Sequence, residues 1–251
     1  MPVPLGAALV AEFVGSFALT FVGIMAIHFS PAGGGLLMVA LAHGLILSVM
    51  VTATMPTSGG HFNPAVTLGF LITGKIKPVA AVGYIVIQLL AGIAAALAVY
   101  VAFGGGETGA QTVLGGTPQI AANVNVMTAL LLEIIATFFL TFVIWGSAAD
   151  PRARNVGGFA IGLVVAADIL AVGPLTGASM NPQRSFGPAL IGSLAEGGSA
   201  LWATHWVYWA GPIIGACVAA LIYKMILWPS DASRGIDPGA VDVPATQRPG
   251  G

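Results

Sequence analysis

Two Asn-Pro pairs, Asn63-Pro64 and Asn181-Pro182, carry the most specific chemistry in this sequence. Proline suits the first position of a helix, because its missing N–H would be unpaired there in any case. An asparagine directly before it can cap the helix with its side-chain oxygen, leaving an NH₂ group as a donor. Each pair therefore reads as the tip of a short helix, with unpaired N–H groups and roughly half a positive charge. Glu12, Glu133 and Arg184 stand in otherwise apolar stretches. An isolated ionisable group in such a stretch is costly and usually faces a cavity. No cluster has the spacing of metal ligands, and no nucleophile–base pair or phosphate loop is present. Neither a metal site nor an enzyme is therefore expected.

The elements that must position these groups follow from composition. Charged residues are 7% of the chain and hydrophobic ones 57%, with a mean hydropathy of +0.95. A soluble domain would carry about 25% charge to wet its surface, so most side chains here must face lipid or one another. No Asp, Glu, Lys or Arg occurs from Val14 to Gly74. The net charge of −1 gives no reason to expect a nucleic-acid partner; the lipid bilayer is the expected one. A crossing takes about 20 apolar residues. Six stretches meet or approach that length: Gly6–His28, Leu36–Met55, Val79–Phe103, Val126–Ala149, Gly157–Gly173 and His205–Trp228. The N-terminal run lacks a basic leader region and is read as a retained span. Pro64–Thr73 and Pro182–Gly192 are too short to cross, and each opens on one Asn-Pro pair. They read as half-helices that dip into the membrane, which is tolerated where they line a cavity or are covered by protein.

The chain repeats itself. The run from Ala11 to Phe21 echoes that from Leu132 to Phe142, with Glu12 and Glu133 at matching places 121 apart (133 − 12). The run from Ser58 to Pro64 echoes Thr176 to Pro182, with the asparagines 118 apart (181 − 63). Three spans per unit, an odd number, turn the second copy upside down and bring the half-helices in from opposite faces, tips meeting at the midplane. The expected fold is an all-α membrane protein of six transmembrane helices plus two re-entrant half-helices in an inverted repeat. It forms one channel domain over residues 1–228, with repeat one at about 5–104 and repeat two at about 126–228. Residues 229–251, rich in Pro, Gly, Asp and Ser, read as a disordered cytoplasmic tail. Lys75, Lys77, Arg152, Arg154, Lys224, Arg234 and Arg248 all fall on one side, so both termini are placed in the cytoplasm; the expected location is the plasma (cell inner) membrane. Opposed positive helix tips repel protons and metal cations, and two lumen-facing amides would let a passing water accept from both. A passive pore for small neutral molecules follows.

Ser58-Gly59-Gly60-His61-Phe62-Asn63-Pro64-Ala65-Val66-Thr67 and Met180-Asn181-Pro182-Gln183-Arg184-Ser185-Phe186-Gly187-Pro188 resemble the two signature loops of the aquaporin (major intrinsic protein) family. The likeness runs from Leu5 to Trp228. It implies a homotetramer of four separate pores with no cofactor. Family spacing implies an outer selectivity filter of His43, Ile169, Ala178 and Arg184, a set similar to plant tonoplast aquaporins. Ser185 and the pair Tyr208-Trp209 are similar to the water-channel branch. The resemblance thus implies passage of water, with ammonia or hydrogen peroxide as further solutes and exclusion of protons and ions.

The resemblance also frames the remaining residues. Asn63, Pro64, Ala65, Asn181, Pro182 and Gln183 form the expected midplane site. Gln183 stands where the family usually has Ala; it could narrow the pore, add a hydrogen-bonding group, or turn toward another helix. Glu12 and Glu133 read as structural acceptors of loop N–H groups, with a proton relay as the rival. His61 is expected at the cytoplasmic vestibule, against simple packing within its loop. For His43 the rival is a satisfied buried histidine. His28 and His205 read as interfacial, and Asp168 has no repeat partner. Gly211 and Gly215, four apart, fit close helix packing. The lone Cys217 cannot form an intrachain disulfide. The alternatives are a glycerol or urea facilitator, an ion-coupled transporter using Glu12, Glu133 and Asp168, and a junction or scaffold protein.

Overall fold

Polar side chains lie inside this protein and apolar ones outside. Glu12, Ser16, Gln88, Glu133 and Thr137 are fully buried, whereas Val10, Leu45, Val82, Met127 and Phe159 are each more than 60% exposed. A water-soluble fold inverts that pattern, so the exposed surface is built for lipid. The computed structural model describes residues 3–31, 35–152, 156–196 and 201–228. Among them, six segments are long and apolar enough to cross a membrane. They are α1 (Leu5–His28), α2 (Leu36–Ser58), α4 (Pro78–Ala102), α6 (Val126–Ile144) with a π-helical turn Trp145–Ala149, α7 (Gly157–Thr176), and a last span. That last span comprises α9 (Trp202–His205), α10 (Val207–Ile222) and a second π turn, Tyr223–Leu227. Two half-helices, α3 (Pro64–Ile72) and α8 (Pro182–Glu196), complete the frame, and α5 (Gly106–Gly115) lies in the connection between the repeats.

The packing is paired as a duplication requires. α1 packs on α4 and α6 on α10; α8 lies against α4 and α3 against α10; α2 and α7 cross one another. Glycine permits the closest approaches. A Cβ on Gly44 would stand 2.6 Å from the Gly162 carbonyl oxygen, and one on Gly69 3.2 Å from that of Ala216. Gly211 and Gly215 give α10 its close seat on α6, against Glu133 and Ile134.

Several boundaries differ from the expected ones. α2 and α7 run on through Pro56 and Pro174 to Ser58 and Thr176, and each ends on a left-handed glycine, Gly59 (φ 88°) or Gly177 (φ 80°). Proline is tolerated this deep because neighbouring helices and side chains take up the freed backbone groups. α8 runs to Glu196, four residues beyond the expected end, and α5 was not anticipated. His205, read as interfacial, is buried against Trp202, Phe186 and Tyr208 in the first turn of the last span. Arg154, Arg234, Arg248 and the tail lie outside the described residues.

Both π turns end in one cluster. Asp150 pairs with Arg152 at 2.6 Å and accepts from the Tyr223 hydroxyl at 3.2 Å. Arg152 also donates to the Leu227 carbonyl, the Lys75 ammonium sits 3.4 Å from the centre of the Trp228 ring, and Lys224 donates to the Thr73 carbonyl. Hydrogen bonds from Arg152 hold the Asp150 carboxyl below the ordinary carboxylate range.

Candidate channel site

Each half-helix begins as its sequence directs. Asn63 caps α3 by accepting from the Ala65 N–H at 2.9 Å, with Pro64 at the first position. Asn181 accepts from the Gln183 N–H at 3.1 Å at the start of α8. The loops before them hold three non-glycine residues in the left-handed region: Phe62 (φ 48°), Ala178 (φ 44°) and Met180 (φ 51°). Such backbone costs about 1–2 kcal/mol per residue, and at membrane depth its N–H groups need partners within the protein.

The two buried carboxylates supply those partners. Glu12 accepts from the Ser58 hydroxyl and His61 N–H through Oε1, at 2.8 and 2.9 Å. Its Oε2 accepts from the Phe62 N–H at 2.7 Å and the Gln88 amide at 2.8 Å. Glu133 matches it: Oε1 accepts from the Thr176 hydroxyl and Ser179 N–H, and Oε2 from the Met180 N–H at 2.8 Å. Every oxygen faces N–H or O–H donors, the arrangement an ionised carboxylate satisfies. Tyr84 and Tyr208 add a second matched tie, donating to the Ser58 and Thr176 carbonyls.

The two loops cross at their tips. The Asn63 NH₂ donates to the Met180 carbonyl at 2.7 Å, and the Asn181 NH₂ to the Phe62 carbonyl at 2.8 Å. This corrects the expectation that both NH₂ groups point freely into the lumen. One hydrogen of each is committed to the opposite loop, because the tips approach closely enough for the amides to bridge them. The second hydrogen remains for a passing molecule.

Asn63 and Asn181 line a narrow channel, together with His43, His61, Ile169, Ala178 and Arg184. Leu19, Leu47, Val66, Leu140, Ile144 and Val165 form its apolar wall. It leaves about 30 Å³ for a water-sized sphere, where one water needs about 10–15 Å³. Ile169 and Arg184 also line a wider funnel of about 620 Å³ that includes Pro118, Gln119 and Gly177. They therefore stand where wide gives way to narrow. Pro64, Ala65, Pro182 and Gln183 stand behind the asparagines, buried and away from the lining.

Arg184 donates to the Gly116 carbonyl at 2.8 Å and lies 3.3 Å from His43 Nε2. A guanidinium only donates, so Nε2 is the acceptor and the neutral ring carries its proton on Nδ1, facing the Val39 carbonyl at 2.8 Å. Gly23 of α1 leaves room for that ring, since a Cβ there would collide with Nε2. At the other end, His61 Nδ1 lies 3.1 Å from the Thr67 hydroxyl and its ring packs on Phe70 and Tyr84. The His61 ring thus both packs within its loop and reaches the channel wall. Gln183 takes the third course open to it: fully buried, it turns to α1, where its Oε1 accepts from the Thr20 hydroxyl at 3.0 Å. Asp168 is buried on α7, with Oδ2 unpartnered among the described residues.

Sequence reasoning missed Gln88, the Phe62 and Met180 carbonyls, and the Gly116 carbonyl. Gln88 was visible as the one amide in its span. The Phe62 and Met180 positions were marked only by standing directly before each asparagine.

A six-span bundle with two half-helices meeting tip to tip around a narrow passage is a membrane channel. The chain belongs to the major intrinsic protein family, which it matches over residues 3–223. It is 42% identical over 239 residues to "Probable aquaporin TIP3-2" of Arabidopsis thaliana, covering 89% of this chain and 84% of that protein. It is 42% identical over 229 residues to "Aquaporin TIP4-4" of Zea mays, covering 86% and 84%. Its fold matches the X-ray structure of the aquaglyceroporin from Plasmodium falciparum with a TM-score of 0.77, at 23% identity, covering 89% of this chain and 97% of that one. The protein is thus an integral, multi-pass aquaporin-family channel.

Proposed function

We propose that this protein is a passive water channel that also admits ammonia and hydrogen peroxide and excludes protons and ions. One observation carries the reading: two capped asparagines, each with one N–H left over, share a narrow passage with about 30 Å³ for water-sized spheres. A water there accepts through its oxygen from the amides, which breaks a continuous proton wire. Two opposed half-helix N-termini add positive potential against cations. Arg184 and His43 at the funnel's neck serve as the selectivity filter with Ile169 and Ala178. The apolar Ile169 beside the His43 imidazole suits small neutral solutes beyond water. Glu12 and Glu133, with all oxygens engaged by loop donors, are structural carboxylates rather than relay groups. His61 belongs to the cytoplasmic vestibule, the basic connections support cytoplasmic termini, the membrane proposed is plasma-type, and the family resemblance implies a homotetramer.

Stopped-flow shrinkage of proteoliposomes tests this directly. Water efflux should exceed that of empty liposomes several-fold, with ammonia and hydrogen peroxide entry also raised, glycerol barely so, and no dependence on voltage. Efflux equal to empty liposomes would overturn the reading.

A further inference from the structure

Gln183 is a fully buried polar side chain in the second signature loop for which the channel described so far has no use. The slot it fills is built for it. A Cβ on Gly92 of α4 would stand 2.6 Å from both the carbonyl oxygen and Oε1 of Gln183, so the side chain lies where a larger residue could not permit it. Thr20 donates to Oε1, and Nε2 lies 3.4 Å from the Phe62 carbonyl. A carbonyl only accepts, so the amide must turn its NH₂ to Phe62 and its oxygen to Thr20, and its orientation is set.

The repeat makes the slot's purpose legible. At the corresponding positions stand Ala65 for Gln183 (183 − 65 = 118) and Thr141 for Thr20 (141 − 20 = 121). There the Thr141 hydroxyl is buried without a partner among the described residues, and the Met180 carbonyl receives the Asn63 amide alone. On the Gln183 side the Phe62 carbonyl receives two amides, Asn181 and Gln183. Residue 183 thus engages Asn181 twice over: its backbone N–H binds the asparagine oxygen at 3.1 Å, and its side chain holds the carbonyl to which the asparagine NH₂ donates.

We propose that Gln183 is a positioning residue for proton exclusion, locking the Phe62 carbonyl and through it the roll of the Asn181 amide. This rests on the channel reading above. Phe62 holds a left-handed conformation beside the passage. Released from Gln183, its carbonyl swings toward the lumen and offers an acceptor to the water that Asn181 should orient. Water can then donate along the file, and a proton wire can form.

The experiment compares wild type, Gln183→Met and Thr20→Val in proteoliposomes, reading proton influx with an internal pH dye against water efflux from the same vesicles. Methionine keeps the volume and removes both hydrogen bonds; valine keeps the shape of Thr20 and frees Oε1. The proton-to-water flux ratio should rise about two- to twelve-fold in Gln183→Met, the range that the net worth of one hydrogen bond corresponds to. A smaller rise in the same direction is expected for Thr20→Val. The melting temperature separates positioning from loss of structure. If Gln183→Met does not reconstitute, Thr20→Val decides alone. A wild-type ratio in Thr20→Val together with either a wild-type ratio or a disrupted fold in Gln183→Met overturns the proposal. Wild-type vesicles that shrink no faster than empty ones would overturn the channel reading instead.

Discussion

Replacing Glu12 by Gln separates a structural carboxylate from a proton relay, and its cost can be worked from the hydrogen bonds. Glu12 receives two donors on each oxygen. A glutamine must put its NH₂ where one oxygen was. If the NH₂ faces Ser58 and His61, the Ser58 hydroxyl can turn round and accept, but the His61 N–H is orphaned. If it faces Phe62 and Gln88, Gln88 can flip and present its unpartnered Oε1, but the Phe62 N–H is orphaned and the Gln88 bond to Thr67 is lost. Either way one buried backbone N–H loses its partner, at about 1–3 kcal/mol. The remaining bonds lose charge assistance, roughly half their strength, while relief from burying a charge returns part of that.

The net is about 2–4 kcal/mol, or a melting temperature about 5–15 °C lower for a chain of this size. Glu133→Gln should behave alike, since it orphans either the Ser179 or the Met180 N–H. Glu12→Ala should be worse, because it strands four donors rather than one. The assay is thermal unfolding of the detergent-solubilised protein followed by size-exclusion, with water efflux per folded channel as the second readout. Under a relay, glutamine mimics the protonated acid: stability stays within about 2 °C while transport responds to a pH gradient in wild type alone. That pair of results would refute the structural argument.

Arg184→Val removes the donor to Gly116 and the charge at the funnel's neck, so proton and small-cation leak in proteoliposomes should rise; an unaltered leak would contradict its filter role. Gly23→Ala sets a methyl against the His43 ring, an overpacking worth about 1–3 kcal/mol, and should lower unit water permeability; wild-type flow would show that the ring has somewhere else to go. Asp150, its carboxyl held low by Arg152, stabilises the π-turn cluster fully above the unfolded carboxylate's pKa of about 3.9 and loses that as pH falls through its own lower value. Tryptophan fluorescence should therefore step below about pH 4 in wild type and not in Asp150→Asn; identical curves would count against the ion pair.

The spans were readable because an unbroken apolar run about as long as a bilayer is thick has few other uses, and the caps because Asn-Pro dictates a helix start. Pro56 and Pro174 hid the true ends of α2 and α7, since whether proline stops a helix depends on what neighbouring helices offer the freed carbonyls. α5 was hidden for another reason: Gly106-Glu107-Thr108-Gly109 has neither the apolar period nor the helix formers that announce a helix. The crossed amides were out of reach because they bond to carbonyls of the other repeat, whose direction comes from left-handed Phe62 and Met180, and neither residue type announces that conformation. Gln183 could not be placed because its space is made by Gly92 and its partner is Thr20, each far away along the chain.

The inversion also shows how one duplicated frame yields a channel with two unlike ends. At the same repeat offset of 118, Arg184 corresponds to Val66, His43 to Ile161, Ala178 to Gly60 and Ile169 to Val51. Val66, Ile161 and Gly60 line the passage on the far side of the asparagines, as their counterparts line the near side. Both ends therefore use the same backbone places, but one set carries the hydrogen-bonded Arg184 and His43 and the other is wholly apolar. A guanidinium repels cations and offers donors to a neutral solute; a valine does neither. On the reading proposed here, discrimination by hydrogen bonding belongs chiefly to the Arg184 end, and the Val66 end contributes width, with His61 as its polar side chain. At the midplane the two halves differ at one repeat position, Gln183 against Ala65, so the Phe62 carbonyl receives two amides where the Met180 carbonyl receives one.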